Sequence, residues 1–236
     1  LPLALAVLAS LATILFMPPV TTSWYLVPIG MGLAIWLLAS HIQVVRERLR
    51  HKTSPGAFLA DLAANGRSFY GMVLAHLGVA VFIVGATLVS HFGQEQDVRM
   101  APGDTQEVAG YRFMFHGVNN ERGPNYVAAR GHFQVFDGDH QITELWPEKR
   151  NYFTSKKPMT EASIDWGFTR DLYVSLGEPL DGGDWAVRLY YKPDVRWIWF
   201  GAVLMALGGL LAITDRRYRL ARKAATLPAG ATAIRN

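Results

Sequence analysis

Residues 71–89 read GMVLAHLGVAVFIVGATLV and decide the class of protein, because a run this long and apolar predicts a membrane-spanning helix. One residue within it, His76, is ionisable. An imidazole in hydrocarbon needs a partner for its ring nitrogens, since an unpaired polar group there costs several kcal/mol. His76 is therefore the first candidate for a functional residue.

The rest of the chain extends the membrane prediction. Half of the 236 residues are hydrophobic and only 18% are charged, and the mean hydropathy is +0.13. The sequence predicts a polytopic α-helical membrane protein with about four transmembrane helices, at 1–16, 24–45, 69–90 and 197–213. The first stretch is short and has no basic flank, so we interpret it as a truncated helix of a larger membrane protein.

Basic residues set the expected topology, because Lys and Arg near helix ends stay on the cytoplasmic side. They follow the second and fourth apolar stretches, at 46–52 and 216–223. The net charge of +4 comes mostly from these anchors and predicts no nucleic-acid partner.

The segment TSPGAFLADLAANG begins with residues typical of a helix start and ends with residues typical of a helix stop. It predicts a cytoplasmic amphipathic helix at about 55–64.

This topology divides the chain into four parts. They are transmembrane helices 1–3 within 1–91, a periplasmic domain at 92–195, the last transmembrane helix at 196–214 and a basic cytoplasmic tail at 215–236. Within 92–195 the period of the sequence changes to two, which indicates strands. We therefore predict an inserted, antiparallel β-rich periplasmic domain of about 100 residues.

The clearest strand is YVAARGHFQVF at 126–136, followed by a turn at Asp137-Gly138. Its alternation places five residues on one face, namely Val127, Ala129, Gly131, Phe133 and Val135. Similar runs occur at 107–118, 140–146, 171–176 and 184–191. The segment DGDHQITE has neither zinc-ligand spacing nor a calcium loop, which favours a solvated hairpin.

The absence of cysteine excludes disulfides, thiolate metal sites and thiol nucleophiles within the chain. Any thiol chemistry must belong to a partner. The sequence also contains no nucleophile elbow or phosphate-binding loop typical of hydrolases and nucleotide enzymes.

Three roles suit His76: an axial heme ligand, a proton-relay group or a hydrogen bond between helices. Gly71, Ala75 and Gly78 form a small-residue face beside it, where a porphyrin or another helix could pack closely. A six-coordinate heme needs a second axial ligand. His41 is the candidate nearest to His76 in depth, about one turn away, whereas His91 is too far, at roughly 22 Å along the same helix. We expect both to snorkel at the interface.

Four segments together resemble the C-terminal part of the CcmF family, the membrane heme lyase subunit of bacterial cytochrome c maturation. They are RLRHKTSPG at 48–56, AHLGVAVFIVGA at 75–86, WGFTRDLYVSLGEP at 166–179 and ITDRRYRLARK at 213–223. The resemblance implies that His76 is an axial ligand of a bound heme b and binds its iron. It implies that the other axial histidine comes from an earlier helix, preceding Leu1.

The family's external tryptophan-rich heme-handling motif and its two flanking histidines are absent from this chain. None of their roles is therefore assigned to His116, His132 or His140. The tryptophans of the external segment, Trp146, Trp166 and Trp185, stand isolated in the sequence.

The resemblance implies a subunit of a multi-component cytochrome c heme lyase in the bacterial inner membrane. The whole subunit would attach heme to the Cys-x-x-Cys-His motif of apocytochrome c through thioether bonds, while heme b supplies electrons. The implied partners are the heme chaperone CcmE, CcmH, apocytochrome c and the lipid bilayer. We expect the chain alone to be inactive.

The alternative is a non-enzymatic membrane scaffold whose external β domain binds partner proteins, with His76 only hydrogen-bonded. Heme content separates these two hypotheses. A transporter with a histidine proton relay ranks last, because no charged group lies within the predicted helices.

Overall fold

The structure, a computed structural model, describes residues 1–16, 24–49, 66–155 and 157–215. The chain forms two compact units, a helical unit of residues 1–87 and 197–236 and a β unit of residues 88–196. The predicted cytoplasmic helix at about 55–64 and the basic tail from 216 onward lie outside the described residues.

The described part of the chain contains four α-helices: α1 (Pro2–Phe16), α2 (Leu26–Leu49), α3 (Arg67–Phe92) and α4 (Val195–Ile213). The last three are long and apolar enough to cross a membrane, whereas α1 is a shorter apolar helix of 15 residues. At about 1.5 Å per residue, α1 reaches only about 22 Å. The predicted membrane fold is confirmed, with three spanning helices in the described residues instead of about four.

The start of α3 is capped by a residue from the far end of the helical unit. The buried Asp215 carboxylate accepts a hydrogen bond from the Ser68 backbone N–H, at 2.8 Å from Oδ2. The first N–H groups of a helix have no partner inside it, so this bond takes the place of an N-cap. A Cβ at Gly66 would lie 2.7 Å from Asp215 Oδ2, so a larger residue there would have to displace the capping carboxylate.

Replacing Asp215 with Ala should destabilise the first turn of α3 by about 1–2 kcal/mol, because the cap is lost. Asp215→Asn keeps an oxygen acceptor and should lose less. Amide hydrogen exchange of the chain in phospholipid nanodiscs measures the change at the start of α3. Unchanged protection of that turn in Asp215→Ala would contradict the capping role.

The β unit consists of ten strands. They are β1 (Gln94–Met100), β2 (Thr105–Val108), β3 (Tyr111–Arg122), β4 (Tyr126–Asp137), β5 (His140–Leu145), β6 (Glu148–Tyr152), β7 (Met159–Glu161), β8 (Ser163–Trp166), β9 (Arg170–Pro179) and β10 (Trp185–Pro193). One sheet has the order β1-β10-β9-β8, and the other has the order β2-β3-β4-β6-β7 with β5 also paired to β4. The strand pairs described are antiparallel, as predicted.

The core of the β unit contains side chains from both sheets. Phe113, Phe115 and Phe133 come from one sheet, and Leu172 and Leu189 come from the other. The rings of Phe115 and Phe133 stack with their centroids 4.7 Å apart. Burial of such large apolar side chains is the main stabilising contribution to a domain of this size.

The face predicted for 126–136 is correct only in its second half. Phe133 and Val135 are buried, but Val127 is 40% exposed and its neighbour Ala128 is buried instead. The first half of β4 pairs with β6 and the second half with β5, so the strand changes partners along its length. An offset of one residue in a strand moves side chains to the opposite face.

The run predicted as one strand at 107–118 is also different in the structure. β2 ends at Val108 and β3 begins at Tyr111. Ala109 and Gly110 between them have positive φ angles of 51° and 83°, which make a tight turn. The prediction treated these two small residues as part of the strand.

Candidate functional site

His76 lies within α3 and is held by the backbone of its own helix. Its Nδ1 is 2.8 Å from the carbonyl oxygen of Met72, one turn earlier. A carbonyl oxygen can only accept, so Nδ1 carries the hydrogen, and Nε2 of the neutral imidazole keeps its lone pair. A carbonyl partner on one ring nitrogen is common for histidines whose other nitrogen binds a metal.

His41 on α2 has the same arrangement. Its Nδ1 is 3.1 Å from the carbonyl oxygen of Leu37, and its ring centroid is 4.4 Å from that of His76, with the planes tilted by 33°. We expected His41 to snorkel toward the interface, but the structure places its ring directly beside His76. The predicted difference in depth of about one turn is compatible with this contact. The contact itself depends on the pairing of α2 with α3, which the sequence did not predict.

The two imidazoles line a cavity of about 250 Å³ between α2 and α3. The other lining residues are Leu37, Leu38, Ile42, Val45, Arg46, Val73 and Leu77. Apart from the two histidines and Arg46, these side chains are all aliphatic. The cavity can therefore receive an apolar group while keeping water away from the rings.

The small-residue face beside His76 packs against α4. A Cβ at Gly71 would lie 2.5 Å from the Gly208 carbonyl oxygen, and a Cβ at Gly78 would lie 2.6 Å from that of Gly201. Ala75 packs at the same contact, since its backbone nitrogen would lie 2.5 Å from a Cβ at Gly208. Of the two partners considered for this face, a porphyrin or a helix, the structure has a helix there.

These residues fit a heme only in part. The His76 imidazole fits as one axial ligand, because a backbone carbonyl fixes Nδ1 and Nε2 has a free lone pair. Two axial ligands must approach the iron from opposite sides, whereas His41 and His76 meet ring face to ring face. The cavity of about 250 Å³ is also below the roughly 300–1,000 Å³ of most cofactor sites. The described residues therefore fit one side of a heme site, with a single axial ligand.

Two histidines of the β unit form a stack that the sequence pattern did not predict. His116 and His132 stack with centroids 4.7 Å apart, and the His132 ring lies parallel to Trp146 at 3.9 Å. The Arg130 guanidinium lies over the same Trp146 ring at 4.9 Å. Trp146 is isolated in the sequence but not in space, because the β3, β4 and β5 pairing brings the three rings together.

Glu144 ties this stack to the polar side chains around it. Its carboxylate accepts hydrogen bonds from Gln134 and Gln141 and lies 3.2 Å from His132 Nε2. Hydrogen bonds from the two amides hold the pKa of Glu144 below its usual value, and the bond from Gln134 has the larger effect. His140 is exposed at the start of β5 and joins none of these contacts in the described structure.

His91, near the end of α3, is buried instead of snorkelling. Within the described residues neither of its ring nitrogens has a hydrogen-bond partner. Its ring meets Phe92 edge to face at 4.7 Å. The distance along α3 separates it from His76, so it is not part of the site formed by His41 and His76.

Comparisons with known proteins find one group of similar proteins. A family model described as the CcmF C-terminal beta-sandwich matches residues 91–193. The cytochrome c-type biogenesis protein CcmF of Pseudomonas aeruginosa is 49% identical over 188 residues, covering 80% of this chain and 28% of that protein. CcmF of Escherichia coli K12 is 44% identical over 191 residues, covering 81% of this chain and 28% of that protein.

A solved structure of the cytochrome c heme lyase CcmF is similar in fold. The match covers 90% of this chain and 34% of the chain in the solved structure, with a TM-score of 0.71 and 21% sequence identity. The chain spans about 28% of the length of the curated relatives named above.

Proposed function

The chain belongs to the CcmF family, and we propose that it forms the C-terminal part of a membrane heme lyase subunit for cytochrome c biogenesis. In this proposal His76 is an axial ligand of heme b. The observation that carries the proposal is the His76 imidazole, whose Nδ1 is bound to the Met72 carbonyl and whose ring lines an apolar cavity in a membrane helix. The names of the relatives, which describe cytochrome c biogenesis, support the same assignment.

The residues around His76 would orient the ligand and exclude water. The Met72 carbonyl fixes the tautomer, so that Nε2 is the nitrogen offered to iron. Leu77 and Val73 on the same helix, with Leu37 on α2, make the cavity wall apolar. A heme bound there would supply one-electron chemistry, with a potential set by its axial ligands and surroundings.

In the same proposal the second axial histidine belongs to a part of the relatives that this chain does not span. His41 would then be a neighbour of the ligand and not its counterpart, since its ring meets that of His76 face to face. It would pack against the His76 ring, which the Met72 carbonyl already holds. Gly71, Ala75 and Gly78 would position α3 through α4 and would not touch the porphyrin.

The β unit would stand in the periplasm, where apocytochrome c receives its heme. We propose CcmE, CcmH and apocytochrome c as the partners, with the thioether bonds formed by the complete subunit and its partners in the bacterial inner membrane. In this proposal the thiols belong to apocytochrome c, which is compatible with a chain that has no cysteine. The absence of the external heme-handling motif agrees with a role shared with the rest of the subunit.

The test is a reduced-minus-oxidised absorption spectrum of the purified whole subunit that contains this segment. We expect His76→Ala to lose the six-coordinate b-type spectrum, and His41→Ala, the matched control from the same cavity, to keep it. Added imidazole should restore part of the spectrum in His76→Ala, because it replaces the missing ligand.

Two results would reject the ligand assignment. The first is a b-type spectrum in His76→Ala equal to that of the parent at equal protein concentration. The second is a parent subunit without heme, which would favour the membrane scaffold. Loss of the spectrum in both His76→Ala and His41→Ala would reject the secondary role given to His41.

A further inference from the structure

We propose that the turn between β8 and β9, from Trp166 to Thr169, inserts into the outer phospholipid interface and anchors the β unit to the membrane. This segment is called the anchor turn below. The proposal is independent of heme. It rests on where the strand order places the turn, on the exposure of its aromatic side chains and on its ties to the start of α4.

The strand order places the anchor turn at the membrane end of the four-stranded sheet. α3 leads into β1, and β10 leads into α4, and these antiparallel strands pair Gln94 with Tyr191. Both connections to membrane helices therefore leave from one end of the sheet. β9 begins at that same end, because Arg170 pairs with Pro193 of β10.

A backbone hydrogen bond ties the anchor turn to the residue that precedes α4. The Asp194 N–H donates to the Thr169 carbonyl at 2.9 Å. The next residue, Val195, is the first of a helix long and apolar enough to span a membrane. The turn thus lies beside the point where the chain enters the membrane.

The side chains of the anchor turn suit an interface between lipid and water. Trp166 and Phe168 are 71% and 68% exposed, and Ile164 precedes Trp166 on the edge strand β8. Trp is enriched at the headgroup level of membranes because it has an apolar ring and a polar N–H, and Phe supplies the apolar face of interfacial segments. Exposed aromatic side chains beside a membrane entry point are suited to contact with phospholipid.

An ion pair between a buried carboxylate and a half-exposed guanidinium holds the anchor turn in position. The Asp171 carboxylate is buried, accepts a hydrogen bond from the Gly167 N–H at 3.1 Å and lies 3.2 Å from Arg196 Nε. The Arg196 guanidinium also lies over the Trp166 ring at 5.2 Å. Arg196 is the second residue of α4, so its cation stands at headgroup level, where lipid phosphates lie.

The absence of cysteine allows a direct test of depth, because one introduced thiol is the only one in the chain. We would attach a nitroxide spin label to Phe168→Cys in the chain reconstituted in phosphatidylcholine–phosphatidylglycerol nanodiscs. Collision rates with oxygen, which concentrates in the bilayer, are compared with those of a water-soluble nickel chelate. Thr169→Cys is the second variant, in case Phe168→Cys does not fold.

Phe153→Cys is the matched control. Phe153 is also an exposed aromatic residue, at 58%, and it follows β6 near the other end of β4, where Tyr126 pairs with Tyr152. The membrane end of β4 is marked by the Tyr111–Asp137 pair, since Tyr111 stacks on Tyr191 of β10. The control label should therefore lie in water.

We expect the ratio of oxygen to nickel collisions to be several-fold higher at position 168 than at position 153. A ratio at 168 equal to that at 153 would place the anchor turn in water and overturn the proposal. Low collision rates with both reagents at 168 would show that protein covers the turn, and this result would overturn it as well.

Discussion

Gly208→Leu should disrupt the packing of α3 on α4, whereas Gly209→Leu should leave it intact. A Cβ at position 208 would lie 2.5 Å from the Ala75 backbone nitrogen and 2.6 Å from the Gly71 carbonyl oxygen. These are backbone atoms of a helix and cannot move aside, so the two helices must separate. We expect the free energy of unfolding to fall by at least about 3 kcal/mol, which is at the upper end of the usual cost of overpacking.

Gly209 is the matched control, because it is the next residue on the same helix. A Cβ there would meet no atom of the described chain within 4 Å. Leucine is a better helix former than glycine and is compatible with lipid, so Gly209→Leu should be neutral or slightly stabilising. Thermal unfolding of both variants in nanodiscs measures the difference, and equal melting temperatures would contradict the close packing of α3 and α4.

This contact explains what the sequence could predict about Gly71, Ala75 and Gly78. Their spacing on one helical face predicts a close approach of something without bulk. It does not identify the partner, because a porphyrin and a second helix have the same requirement for small side chains. The choice depends on Gly201 and Gly208, which lie seven residues apart on a helix more than a hundred residues away in sequence.

The site of His41 and His76 shows the same limit. Hydropathy and length predict both helices, and the rise per residue predicts similar depths for the two histidines. The rotation of each helix about its axis decides whether the rings meet, and α2 and α3 carry apolar residues on all sides. A helix without a strongly polar face leaves that rotation undetermined until its neighbours are known.

In the β unit, strand existence was easier to predict than strand register. The alternation at 126–136 and the turn at Asp137-Gly138 predict β4 and its hairpin correctly. The stack of His116 on His132 depends on a register shift in the β3–β4 pairing between Phe115 and Gly117. The glycine at 117, with a φ of 110°, was the available signal for that irregularity.

Strand register also decides which residues form the β core. Phe133→Ala should lower the free energy of unfolding by about 3–5 kcal/mol. The Phe133 ring is fully buried and stacks on Phe115 with centroids 4.7 Å apart, so its removal leaves a cavity between the sheets. Val127→Ala is the control, because simple alternation along β4 predicts both residues on the buried face. Val127 is 40% exposed, and its truncation should cost less than about 0.5 kcal/mol.

Amide hydrogen exchange of the β3 and β4 peptides, in the chain held in nanodiscs, measures both losses on one scale. Comparable losses in the two variants would mean that β4 keeps one buried face along its whole length, as alternation alone predicts. A large loss in Phe133→Ala only would place the change of face between Val127 and Phe133, where β4 exchanges β6 for β5 as its partner. The inner face of this strand therefore depends on its neighbours as much as on its own pattern.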